Sequence, residues 1–346
     1  MKIKNVSCCL LFVSLLALGK ESASAFSATN ANTIVDAWNT AFYSTSGGAH
    51  YKDRKSGGDT GWWQQAECIE ALIDAAVRRS FYSTRVTEVV NGFSSIRGTS
   101  WSYNTFNDDV AWGCLAYLRA SQVTGNTTFR NIAKANFDMM YARAWDTGAG
   151  GLWWTTGKTS KTSAVMGPAS IVAYKLYQQL GDANYRNKAI AINDWQRNNC
   201  YNASNGQVFD SPSNQVPTTY NQGTFLQASY LRGNTGTAFT ACMYLATMGG
   251  TIVNGHHILP QYGFNNNNSG FNGIAVRWAN AYMKGAGTQG TFLAWLQTNA
   301  QAAWDTRRTS DNLSGCNWGS ATPSTDIGAW TCSSSVAAIN SVQPTQ

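Results

Sequence analysis

The feature that most constrains this chain is that it repeats itself. Leu118-Arg119 runs into Thr124-Gly125-Asn126, then Phe129-Arg130 and Ala133. Leu176-Tyr177 runs into Leu180-Gly181-Asp182, then Tyr185-Arg186 and Ala189. Leu231-Arg232 runs into Thr235-Gly236-Thr237, then Phe239 and Ala241. The glycines fall at 125, 181 and 236, a period of roughly 55 residues. Each unit reads as an apolar helix, a Gly suited to the left-handed position that ends it, and a second helix shortly after. So short a turn makes the two helices antiparallel neighbours.

Extended along the chain, the pattern predicts an all-α protein of about twelve helices. They start near Asn30, Trp62, Arg85, Asp108, Thr127, Ser163, Asn184, Tyr220, Thr237, Gly270, Thr288 and Asp326. In the second, Ala66, Ile69, Ile73, Ala76 and Val77 share one face. Six hairpins closing on themselves give an (α/α)6 toroid, or barrel. An open solenoid would need polar capping repeats, and none is identifiable. In a closed ring the inner helices are wrapped by the outer ones. Gly- and aromatic-rich loops then open at one end, where the chemistry is expected.

The first residues read as an export signal and not as part of this fold. Lys2 and Lys4 precede a nearly apolar run from Cys8 to Leu18, and Ala23-Ser24-Ala25 supplies small residues for cleavage before Phe26. The run is too short to span a bilayer, and no later stretch is long and apolar enough. The tail from Ser333 to Gln346 lacks a hydrophobic segment of the kind that precedes a GPI anchor. The expectation is a signal peptide over 1–25, one catalytic domain over 26–346, and a released, monomeric, extracellular or wall-associated protein.

Removing Lys2, Lys4, Lys20 and Glu21 takes the formal charge from +7 to +5 (three positives and one negative lost). Charged residues are only 12% of the chain and form no dense Lys/Arg cluster. Nucleic acid is therefore not an expected partner. Six cysteines follow the signal: Cys68, Cys114, Cys200, Cys242, Cys316 and Cys332. Export permits disulfides, and Cys316 with Cys332, which flank a late loop, is the best candidate pair. No CxxC pattern, zinc triad or EF-hand-like loop occurs, so no metal and no cofactor is expected. Sequons stand at Asn126, Asn202, Asn267 and Asn312.

Acidic residues are few, and most read as lone residues on helix surfaces. The exception is Asn107-Asp108-Asp109, ahead of Val110-Ala111-Trp112. Such a cluster is an ordinary helix start, with a polar cap and carboxylates favoured by the dipole. Three features point further. The helix that follows is apolar, which places the pair at a cavity mouth. Two carboxyls there cannot both ionise easily, so one keeps its proton, and a charged carboxylate beside a protonated one is the equipment of glycosidic cleavage. Retention of configuration needs the carboxyls about 5 Å apart, a spacing that neighbours at a helix start can reach. Next, Trp62-Trp63 follows Gly61, and Trp153-Trp154 follows Gly150-Gly151. Flat indoles match the C–H faces of sugars, although any single Trp is as readily core. Finally, Asp210 precedes Tyr220-Asn221-Gln222, polar groups suited to hydroxyls; Asp210 also reads as a turn residue before Pro212.

Taken in order, these motifs resemble glycoside hydrolase family 76, the α-1,6-mannanases. The resemblance covers nearly the whole chain after the signal. It includes Asn107-Asp108-Asp109 with Trp112, Trp145-Asp146 leading to Gly150-Gly151 and Trp153-Trp154, Val208 with Asp210, Tyr220-Asn221-Gln222-Gly223, and Phe271-Asn272-Gly273-Ile274 with Arg277. It implies an (α/α)6 barrel and a retaining mechanism, with Asp108 as nucleophile, Asp109 as acid/base and Asp210 as a carboxylate touching the sugar in the −1 subsite. The implied partner is α-1,6-mannan, cut internally. Trp62, Trp63, Asn107, Trp112, Trp153, Trp154, Asp210, Tyr220, Asn221 and Gln222 are the candidate substrate contacts. Departures fall at Gly148-Ala149-Gly150-Gly151, where members often carry Cys-Gly-Gly-Gly, and at Lys161–Met166, which lacks a customary Asn. Transglycosylation of wall mannan is a close alternative, and a non-catalytic carbohydrate-binding protein a more distant one. Sugar epimerases use similar toroids but rely on histidines, and His50, His256 and His257 lie in no catalytic motif.

Overall fold

The computed structural model describes residues 26–342. The proposed signal peptide lies outside the described residues. Twelve α-helices follow one another: α1 Ala28–Phe42, α2 Trp62–Arg78, α3 Ser83–Arg97, α4 Asn107–Thr124, α5 Thr127–Ala144, α6 Ser163–Leu180, α7 Ala183–Cys200, α8 Thr219–Arg232, α9 Thr235–Thr247, α10 Phe271–Ala286, α11 Gln289–Asp305 and α12 Ala329–Ser341. Among the described residues, strands are limited to two short antiparallel pairs, β1 Tyr43–Ser44 with β2 His50–Tyr51 and β3 Ile252–Val253 with β4 His256–His257. Every helix start read from the repeat falls within a few residues of an observed one.

The even-numbered helices form a closed inner ring. α2 packs on α4, α4 on α6, α6 on α8, α8 on α10, α10 on α12, and α12 returns to α2. The odd-numbered helices lie outside, and α1 closes the sixth hairpin by packing on α12. The Trp38 indole in α1 donates to the Ala329 carbonyl across that closure, at 3.0 Å. This is the (α/α)6 barrel expected from the period.

Composition separates the two layers. Outer helices bury one face; α5 buries Phe129, Ala133, Phe137, Met140 and Ala144 at helical spacing. Inner helices are buried nearly all round, so small residues are needed where they meet. A Cβ on Gly273 of α10 would stand 2.7 Å from Ser334 Cα of α12, and one on Gly223 of α8 would stand 2.7 Å from Ala275 Cα of α10. Val77, expected on the buried face of α2, is 68% exposed, because that end of the helix reaches the open far mouth of the ring.

Loop lengths are lopsided. Turns from inner to outer helices are short, and left-handed glycines at 125, 181, 233 and 287 end α4, α6, α8 and α10. The third of these is Gly233 and not the expected Gly236, which lies inside α9. Long segments (43–61, 98–106, 145–162, 201–218, 248–270 and 306–328) all lead into inner helices. They gather at one end of the ring, above the six inner N-termini.

Two expectations are corrected in the core. All six cysteines are free and buried, Cys316 and Cys332 included. The acids are also not all lone surface residues. Glu67, Glu70 and Asp74 of α2 are buried inside the ring. Arg277 of α10 binds Glu67 at 2.8 Å and Asp74 at 2.6 Å, while Arg119 of α4 binds Glu70 and Asp74, each at 2.6 Å. Such groups stay inside only because each answers another. The cluster ties three inner helices together through the centre. Helical spacing on α2 carried the signal, since residues 67, 70 and 74 share one face.

Candidate active site

Asp108 and Asp109 occupy the first turn of α4, at the loop-rich end of the ring. The preceding segment is fixed by Arg143, which donates to Asn107 Oδ1 at 2.7 Å and to the Ser102 and Asn104 carbonyls. Asn107 Nδ2 donates to the Trp153 carbonyl at 2.8 Å, and the Asn107 backbone N–H to the Trp154 carbonyl at 2.8 Å. Thus the Asn107 side chain, fully buried, stitches the Trp153-Trp154 loop to the helix start. It is a positioning residue, its Oδ1, Nδ2 and backbone N–H all engaged inside the protein.

The two carboxyls sit in different settings. Burial, and then the Asp109 charge, raise Asp108 from its ordinary value to about 7. The Trp154 indole N–H approaches it without completing a hydrogen bond and offsets part of the rise; Asp108 Oδ1 is buried and unpaired. Burial raises Asp109 to about 6, against the pull of Asn104 Nδ2, which donates to Asp109 Oδ2 at 3.0 Å. Near neutral pH the pair therefore holds about one proton.

The loop before α8 brings a third carboxyl, Asp210, to the same place. Tyr220, in the first turn of α8, is buried, and burial followed by the charges of Asp210 and Asp108 holds its phenol well above the usual value. The ring lies 4.0 Å from Phe271 and 6.2 Å from Trp112, centre to centre. Asn221 Nδ2 donates to Asp210 Oδ1 at 3.3 Å and Asn214 Nδ2 to Asp210 Oδ2 at 3.2 Å, while Asn221 Oδ1 is buried and unpaired. Burial raises Asp210 and these two amides oppose it. Gln222 is different. It donates to the Gly206 and Ala241 carbonyls and accepts from the Val208 N–H, so, fully buried, it holds the loop that carries Asp210.

The tryptophans divide likewise. Trp63 stands at the mouth, 4.8 Å from Trp330 and 6.3 Å from Phe271. Trp154 borders Asp108. Trp62 packs instead against Phe93 and Trp101, with its N–H on Tyr103 Oη, and belongs to the wall between α2 and α3. Trp153 lies under the Lys161 ammonium, 4.4 Å from its centre, and Lys161 is clamped by Asp146 Oδ2 at 2.6 Å and the Gly150 carbonyl. Sequence reasoning missed Tyr262 and Trp330, which join Phe271 in the aromatic wall. Both come from loops or helix starts without periodic signal.

Among the described residues no group of three His, Cys, Asp or Glu could hold a metal, and no helix is long and apolar enough to cross a membrane. A hollow of about 890 Å³ lies on the outer wall beside Tyr43, Phe81 and Arg85.

A closed (α/α)6 ring with a proton-sharing carboxyl pair at an aromatic mouth is the frame of a glycoside hydrolase. The chain belongs to glycosyl hydrolase family 76, whose profile matches residues 22–346. Among solved structures it is similar to the GH76A α-1,6-mannanase of Salegentibacter sp. HEL1_6, at 23% identity over 90% of this chain and 98% of that one, with a TM-score of 0.80. An inactive variant of that enzyme, with two aspartates replaced by alanine, is in complex with α-1,6-mannotetrose (22% identity, 90% and 97% covered, TM-score 0.80). Dfg5 from Chaetomium thermophilum, in complex with glucosamine, is 17% identical over 90% of this chain and 88% of that one, with a TM-score of 0.72. No curated protein matches the chain.

Proposed function

We propose that this chain is an exported, retaining endo-α-1,6-mannanase. The observation that carries the reading is the Asp108–Asp109 pair, holding about one proton between two buried carboxyls at an aromatic mouth. The mannotetrose held by the Salegentibacter relative supports the choice of substrate.

Asp108 is the nucleophile. Its carboxylate attacks C1 of the sugar in the −1 subsite while Asp109 gives its proton to the departing glycosidic oxygen, so the C1–O bond breaks as the C1–Asp108 bond forms. Water, deprotonated by Asp109, then attacks C1 and releases Asp108. In the free protein burial raises both carboxyls, so the proton they share can sit on either one. A sugar hydroxyl donated to the unpaired Asp108 Oδ1 favours its anion and moves the proton to Asp109. Asp210, steadied by Asn221 and Asn214, accepts from ring hydroxyls, and Trp63, Tyr220 and Phe271 supply the apolar wall.

The test is digestion of linear α-1,6-mannan by the mature chain, followed by product sizing. Internal cutting gives a rapid fall in chain length before monosaccharide accumulates. Unchanged chain length, with mannan bound, would make the protein a lectin on the same fold.

A further inference from the structure

The far end of the ring, away from the carboxyl pair, holds a second cavity of about 430 Å³ to which all six inner helices contribute. Its wall includes Arg119, Lys175, Gln227, Trp278, Asn280 and Lys284.

Several of its polar atoms lack a partner. Trp278 Nε1, Gln227 Oε1, Asn280 Oδ1 and Ser341 Oγ are buried without a hydrogen bond. Trp278, Gln227 and Asn280 are only 2%, 6% and 5% exposed. A buried polar group left without a partner is destabilising, so four around one cavity call for an occupant.

The charges are also unbalanced. Arg119 and Arg277 are answered by Glu67, Glu70 and Asp74. Lys175 and Lys284 form no ion pair among the described residues. Lys175 reaches only Gln122 Oε1, at 3.5 Å, and burial, with Arg119 nearby, lowers it to about 8. Compensation of helix ends accounts for Lys284, in the last turn of α10. It does not account for Lys175, which stands more than a turn before the end of α6 at Leu180, and it leaves the amide oxygens unpaired.

We propose that this cavity is a second, non-catalytic site for a small phosphorylated polyol, of which a hexose phosphate is the type. The phosphate lies against Lys175 and Lys284. Hydroxyls donate to Gln227 Oε1 and Asn280 Oδ1, and one accepts from the Trp278 N–H. Phosphate alone serves those amide oxygens poorly, and a neutral sugar leaves the Lys175 ammonium unanswered. The volume suits a monosaccharide-sized ligand.

The experiment is calorimetric titration of the mature chain with glucose 6-phosphate, glucose and inorganic phosphate separately, with thermal unfolding in parallel. Glucose 6-phosphate binds and raises the unfolding midpoint, and each half alone binds at least about tenfold more weakly. Lys175→Met and Trp278→Phe each weaken binding by about tenfold while mannan cleavage continues, which shows that both fold. The Asp108→Asn/Asp109→Asn variant binds as wild type. No binding at about 10 mM, equal binding of inorganic phosphate, unchanged binding by Lys175→Met, or loss of binding in the double carboxyl variant would each overturn the proposal.

Discussion

Replacing Asp108 by Asn should stabilise the protein while destroying its activity. The two side chains have nearly the same shape, so packing is preserved and only the charge is lost. Burial and Asp109 raise Asp108 from 3.8 to about 7 in the folded chain. A carboxyl raised in this way supports folding fully below its unfolded value and loses that support as pH climbs through its folded one. Between roughly pH 4 and 7, ionisation of Asp108 therefore removes on the order of 4 kcal/mol from the wild type. Urea unfolding of both proteins across this range is the assay. Asp108→Asn should match wild type near pH 4 and exceed it by about 2–4 kcal/mol near pH 8, where the ionised wild-type group is most costly. A gap that is absent near pH 8, or equal at both ends, would refute the electrostatic reasoning.

The same pair should give a bell-shaped pH profile of kcat/KM with limbs near 6 and 7, since one proton is needed on two carboxyls; a flat profile from pH 4 to 9 would exclude it. Asp109→Ala should lose at least about 100-fold on mannan but far less on aryl mannosides, whose leaving groups need little protonation, whereas Asp108→Ala should lose both. Arg277→Met should lower unfolding free energy by about 3–5 kcal/mol, because Glu67, Glu70 and Asp74 would lose a buried partner; denaturant titration reads this directly. Gly273→Ala should cost about 1–3 kcal/mol by pressing α10 from α12 at 2.7 Å. Lys161→Met should raise KM about tenfold with little change in kcat, by loosening the loop held through Asp146 and Trp153.

The ring was legible because the chain's own repeat states it. Short turns between helices leave little freedom, and left-handed glycines mark their ends. Gly233 was misplaced as Gly236 because both stand beside the same turn, and only backbone geometry tells which ends the helix. The carboxyl pair was legible as two adjacent charges before an apolar helix. The side-chain partners were not. Asn107 and Gln222 look like sugar contacts in a motif, yet both work inward, holding loops in place. Trp62 and Trp63 are neighbours in sequence, but the helical turn sends one into the outer wall and the other to the mouth. The central ion cluster escaped notice because its arginines lie far along the chain from the acids they meet.

The most direct measurement is proton NMR of the first-formed reducing end when the mature chain cuts a short linear α-1,6-mannan oligosaccharide. Covalent capture by Asp108 requires the α anomer to appear first and the β anomer only by later mutarotation. An initial β product would contradict the paired-carboxyl mechanism, and an uncut substrate would contradict the assignment of activity itself.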